Sequence, residues 1–337
     1  MYDKQRSPLW LLAREPALND FINYLRRGVE PVRAGEPHTF AFSRRSLREV
    51  HKAFDQMLLK GEERLHRLAE LLCTAYLPSY QVQSVVIGEI SAPDAARESF
   101  VLTRDISTQD LYSTLDIDLG TRQLSKLRFY DEGKWLSASL VANFVEYQPL
   151  EPSRFNIQKL TSRVKAEEEI WNKVVDEIFD LDALVRRDKK MSHLSYFIKD
   201  VLGIKIIVGG HEDVLPMHDA LLSLTSTPPL QLVETKNYLG KEERKVTGWE
   251  ALKSVFLWGD KTFEIQIQPL RNYLREREYL TKESHAAFKS KRDSVRNQIA
   301  VELPAFSFYR DLLRWVFKAN AVGAPPTHAG VTITVED

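Results

Sequence analysis

Residues 263–268 read Phe-Glu-Ile-Gln-Ile-Gln, and this stretch decides the fold. Strand alternation sends Phe263, Ile265 and Ile267 to one face and Glu264, Gln266 and Gln268 to the other. One face is made for burial; the other carries a carboxylate and two amides. Just upstream, Lys253 to Leu257 is a second β-rich run, and Gly259-Asp260 is a turn signal, so a hairpin is predicted over 253–268. Further upstream, Phe197 to Val208 is an apolar strand ended by Gly209-Gly210. Working outward, Phe155 to Lys159 is strand-like, Arg163 to Phe179 is a charged helix, Val214 to Leu224 is a helix, and Leu270 to Ala300 is long and helical. That order gives an α+β class, a mixed sheet flanked by helices.

The front of the chain has another texture. Pro16 opens a short amphipathic helix over 16–28, and Leu47, Val50, Phe54, Leu58, Leu65, Leu68 and Leu72 recur at helical spacing, with Ser46 and Glu49 as a capping box and Gly61 as an interruption. From Tyr80 to Tyr147 short β-rich runs follow, including LYSTLDIDL (111–119) and SLVANFVEY (139–147), and they read as an antiparallel meander. Pro149 and Pro152 mark a boundary. The expected division is therefore 1–150, a helical and β-rich region; 151–300, an α+β domain; and 301–337, a C-terminal helix and tail whose VTITV run is a terminal strand or a frayed end.

The chain has 337 residues, with 47 Lys+Arg balanced by 47 Asp+Glu and 43% apolar residues. The length suggests two domains at ~150 residues each. Zero net charge excludes a uniformly basic nucleic-acid coat. The balance is uneven: residues 51–150 are acidic and residues 251–300 basic. A single cysteine, Cys73, excludes a disulfide framework and reads as a core residue. The start of the chain has no signal-like apolar run and no segment is long and apolar enough to span a membrane, so the expectation is a cytoplasmic protein without membrane association.

Asp200, at the head of the apolar strand, and Glu264 are carboxylates on strands that can be neighbours. Such a pair can hold Mg²⁺, a hard ion that leaves part of its shell to water and phosphates. The same two residues also read as a solvated strand end and a water-facing sheet side. Lys165, Glu169 and Lys173 share one face of the charged helix, with Arg163 near its start, an arrangement suited to anions or to an ordinary solvated surface. His218-Asp219 reads as a helix-surface pair.

These segments resemble, in order, the motifs of RelA/SpoT-type alarmone synthetases. Arg163-Val164-Lys165 with Ile170-Trp171 and Lys173, the run DVLGIKIIV (200–208), Lys236-Asn237-Tyr238-Leu239, Gly248-Trp249, FEIQIQ (263–268), and His285 with Phe288-Lys289 each match a family segment. The resemblance covers about residues 160–290. It implies a synthetase (nucleotidyltransferase-like) fold and a pyrophosphokinase that transfers the β,γ-pyrophosphate of ATP to the 3′-hydroxyl of a guanine nucleotide, giving ppGpp or pppGpp. By carry-over, Asp200 and Glu264 are catalytic and bind Mg²⁺. Arg163, Lys165, Lys173 and Lys205 hold the donor phosphates. Tyr238, Trp249, Lys253, Gln266, His285 and Lys289 line the acceptor. Glu169 for serine, Lys205 and Gln268 for arginines, and Lys253 for histidine are departures that put the acceptor in question and suggest a divergent branch. Two further readings stay open. One is a toxin-like relative, as in toxin-antitoxin pairs, acting on an adenine nucleotide or the 3′ end of tRNA; the other is an inactive synthetase fold used for binding. The N-terminal region is expected to serve homo-oligomerisation or a regulatory partner.

Overall fold

The computed structural model describes residues 15–90, 98–131, 133–136, 138–164, 167–179, 202–240, 250–282, 303–318 and 323–336. The first elements are α1 (Pro16–Arg27), α2 (Val29–Ala34), β1 (His38–Ser43) and the long α3 (Arg44–Tyr76). Then come β2 (Tyr80–Ile90), β3 (Glu98–Asp105), α4 (Thr108–Ser113), α5 (Asp116–Leu124), and the short β4 (Phe129–Asp131) and β5 (Lys134–Leu136). The middle holds β6 (Ala138–Pro149), β7 (Ile157–Val164), α6 (Glu167–Ile178), β8 (Leu202–Val208) and α7 (Val214–Leu222). The last are β9 (Leu230–Asn237), β10 (Leu252–Trp258), β11 (Lys261–Pro269), α8 (Leu270–Lys282), α9 (Pro304–Leu313) and β12 (Val331–Glu336).

These elements form two units. The first unit takes residues 1–58, 166–199 and 289–337. Its core is aromatic: Phe40 meets Phe308 and Tyr309 at ring distances of 6.1 and 5.9 Å, and Trp171 stacks on Phe317 at 3.6 Å. The VTITV run is a strand here, because β12 pairs in parallel with β1 from His38↔Val331 to Ser43↔Glu336. Tyr309 donates its hydroxyl to the Leu25 carbonyl at 2.8 Å, which satisfies a phenol in an otherwise apolar core.

The second unit takes residues 59–165 and 200–288. It is built on one eight-stranded mixed sheet in the order β3-β2-β6-β7-β8-β11-β10-β9, so the mixed sheet flanked by helices is present. β8 and β11 are parallel; the other neighbours are antiparallel. Residue 150, the expected boundary, falls between β6 and β7, which pair directly. The β-rich front half thus continues the sheet that carries the FEIQIQ strand.

Several local expectations change. LYSTLDIDL is helical, ending α4 and opening α5, because Ser107 caps the first by accepting from the Asp110 N–H at 3.1 Å and Asp116 and Asp118 fill the first turn of the second. The capping box of α3 is Ser43 with Ser46, not Ser46 with Glu49: each hydroxyl accepts from the other's backbone N–H, at 3.0 and 3.2 Å. Gly61 does not interrupt α3; it lies against Leu202, where an added Cβ would sit 3.4 Å from the leucine. Arg163 is in strand β7 opposite Gly203, so it shares no helical face with Lys173. His218 is buried rather than on the surface, its Nε2 3.0 Å from Ser254 Oγ. Cys73 is buried, as expected. No helix among the described residues is long and apolar enough to cross a membrane.

Candidate active site

The face opposite Phe263, Ile265 and Ile267 carries a polar side chain from every strand. Reading the pairing registers across the sheet, Asp105, Gln83, Glu146, Thr161, Lys205, Gln266, Lys253 and Lys236 form one continuous row over all eight strands. Two residues along each strand, the adjacent row runs Glu234, Val255, Glu264, Gly203, Arg163. Period-two alternation therefore places Glu264 among Arg163, Lys205, Lys253 and Lys236, although the five come from five strands. The other face holds the buried Ile204, Ile206, Leu160, Val145 and Tyr147.

Glu264 is 3% exposed. Its Oε1 accepts from the Gln266 amide at 2.5 Å, and Lys253 Nζ makes an ion pair with Oε2. The Lys253 side chain keeps 22% exposure, so the cation is wetter than the anion that it neutralises. Gly203, opposite Glu264, leaves a notch: a Cβ built there would come no nearer than 3.9 Å to any neighbour, the carbonyl oxygens of Arg163 and Glu264. Gln266 Oε1 is buried with no hydrogen-bond partner among the described residues, an acceptor left for a donor brought by a ligand.

α8 crosses this face beside the notch. Lys205 Nζ sits 2.7 Å from both oxygens of Glu276 on α8, and Arg277 reaches Glu146 at 3.9 Å. Burial pushes the Glu276 carboxyl up, but the Lys205 ammonium, its hydrogen bonds, the Gln268 amide and Arg163 outweigh that and leave it below its ordinary value. Glu276 went unremarked in the sequence, where it is one of several charges on a charged helix; only the register of β8 against α8 reveals its partner.

Of the residues expected at the site, Arg163, Lys205, Lys253, Glu264 and Gln266 share this face. Tyr238 directly follows β9, its N–H donating to the Ala251 carbonyl at 3.0 Å. Lys173 belongs to α6, in the first unit. Lys165, Asp200, Trp249, His285 and Lys289 lie outside the described residues. For Mg²⁺, the described donor set does not suffice: Lys253 stands against the oxygen of Glu264 that an ion would take, and Glu264 belongs to no cluster of three metal-ligating groups among the described residues. What the face offers instead is fixed cations around a dry carboxylate and an open notch, a setting suited to phosphate and a hydroxyl.

No family model and no curated protein matches the chain. Among solved structures it is similar to the small alarmone synthetase 1 from Bacillus subtilis, at 17% identity over 43% of this chain and 81% of that one, with a TM-score of 0.23. It is similar as well to the same protein bound to its product pppGpp, at 19% identity over 50% of this chain and 81% of that one, with a TM-score of 0.27. Both likenesses are partial and of low identity.

Proposed function

We propose that this chain is an ATP-dependent pyrophosphokinase whose acceptor is the 3′-hydroxyl of a guanine nucleotide. The observation that carries the reading is the pairing of two sequence-distant motif strands: LGIKIIV (202–208) and FEIQIQ are parallel neighbours with Gly203 opposite Glu264 and Lys205 opposite Gln266. In the reaction the acceptor oxygen attacks the β-phosphorus of ATP, the bond from that phosphorus to the oxygen bridging the α-phosphate breaks, and AMP leaves. The acceptor proton passes to a base, for which Glu264 is the candidate beside the notch. Arg163, Lys205 and Lys165 hold donor phosphates, while Gln266, Tyr238, Trp249, His285 and Lys289 serve the acceptor. Phosphoryl-type transfer asks mainly for positioning and charge neutralisation, which these groups supply. Mg²⁺ would come bound to the phosphates of ATP, and Asp200, rather than the Glu264 carboxylate held by Lys253, is the group proposed to meet it. Substrate phosphate competes for Lys253, and its departure leaves the Glu264 carboxylate free to take the proton.

The test is incubation of the full chain with γ-labelled ATP, Mg²⁺ and, in parallel, GDP, GTP, ADP, ATP or deacylated tRNA. Label on GDP or GTP supports the reading. Label only on an adenine nucleotide or tRNA moves the acceptor to the toxin-like alternative, and label on none, beside a working control enzyme, leaves a binding module.

A further inference from the structure

On the other face of the sheet from Glu264, α3 and α5 bring together Glu62, His66 and Asp116, whose ligand atoms all lie within 4.8 Å of one another. We propose that these three side chains bind one first-row divalent transition-metal ion, Zn²⁺ or Mn²⁺, that ties α3 to α5. Glu62 and His66 are four apart on α3, so they project from one helical face, and Asp116 is the first residue of α5. All three are buried, at 5, 0 and 4% exposure.

Two independent observations point to a ligand. Asp116 Oδ2 is buried and has no hydrogen-bond partner among the described residues. The imidazole is oriented as a ligand should be: its Nδ1 lies 3.2 Å from Tyr147 Oη and 3.5 Å from Ser162 Oγ, which leaves Nε2 facing Asp116 Oδ1 at 3.1 Å. Metal bonds of about 2.1 Å to those two atoms would span that gap at about a right angle. Glu62 Oε2 accepts from the Asp116 backbone N–H at 3.0 Å, which fixes the two carboxylates side by side. Two carboxylates in a dry site need a compensating charge. One imidazole with two carboxylates suits Zn²⁺ or Mn²⁺ better than Mg²⁺ or Ca²⁺, which prefer an all-oxygen shell.

The full chain, stripped with EDTA, is incubated separately with Zn²⁺, Mn²⁺ and Co²⁺, desalted, and assayed for metal by mass spectrometry. One retained ion per chain is expected for Zn²⁺ or Mn²⁺; retention of neither overturns the proposal and leaves a proton-sharing carboxylate pair. Asp116→Asn, checked for folding by circular dichroism, is expected to lower retention at least tenfold; undiminished retention overturns it. Where that variant does not fold, the Co²⁺ form of the natural chain decides: visible bands of an imidazole and carboxylate set support the site, and a thiolate charge-transfer band or the spectrum of aqueous Co²⁺ refutes it. Glu264→Gln must keep the ion, since loss there would put it on the opposite face.

Discussion

Replacing Lys253 by Met removes an ammonium and keeps most of the aliphatic stem, and it leaves Glu264 as a carboxylate whose side chain is 2% exposed. Breaking a buried pair from one side costs about 3–5 kcal/mol when the stranded charge stays ionised. Glu264 has an alternative, which is to take a proton. From a free glutamate value near 4.3, protonation at pH 7 costs about 3.7 kcal/mol, at about 1.36 kcal/mol per pH unit, and at pH 5 only about 1 kcal/mol. The Gln266 bond to Oε1 survives in either case. The expected loss is therefore about 3 kcal/mol at pH 7, shrinking to about 1 kcal/mol or less at pH 5. Glu264→Gln strands the other partner, but Lys253 is 22% exposed and can turn to water, so about 1 kcal/mol is expected at either pH. The double variant should cost no more than Glu264→Gln alone, a coupling of about 3 kcal/mol at pH 7. Urea unfolding at the two pH values, with a shared m-value, measures all four chains. A Lys253→Met loss below about 1 kcal/mol at pH 7, or one that does not change with pH, would refute the pairing.

Other perturbations separate folding from binding. Gly203→Val should leave stability within about 1 kcal/mol, because β8 is a strand and the position has open space, yet it should weaken nucleotide binding at least tenfold by filling the notch beside Glu264; unchanged affinity in a titration calorimeter would remove the notch from the site. Glu276→Gln should cost about 1 kcal/mol at neutral pH, since both partners of the Lys205 pair are more than a quarter exposed. The folded-state carboxyl of Glu276 lies below its unfolded value of 4.5, so the pair's contribution is present above that value and is lost as pH falls through the lower folded one. The stability difference between natural chain and variant should thus close in acid; a gap that widens in acid contradicts the pairing.

The sheet's core was legible where the period was unambiguous. The β10–β11 hairpin turns at Gly259-Asp260, as the turn signal and the flanking alternation predict, and φ at Gly259 is +64°, a region that favours glycine. The helix from Val214 and the one from Leu270 begin where the sequence puts them. Reading failed where local and tertiary preferences compete. Thr161, Ser162 and Arg163 continue β7 because β8 offers them partners, although the following acids make a good helix. LYSTLDIDL alternates like a strand, but its acids and the Ser107 cap favour helix starts. At the candidate site the row of Lys205, Gln266, Lys253 and Lys236 follows from alternation once strand order is known, and strand order is a long-range fact. Glu276 and the Glu62, His66, Asp116 cluster have no linear signature, since each is completed by a residue 50 or more positions away.

In the proposed reaction Glu264 acts on the acceptor at this face. The most direct measurement compares Glu264→Gln with the natural chain for transfer of label from γ-labelled ATP and, on the same preparations, for ATP affinity. Transfer is expected to fall at least a thousandfold while ATP binding changes less than about fivefold, the pattern of a group needed in the transition state and not for ground-state binding. Transfer retained within about tenfold of the natural chain would contradict it.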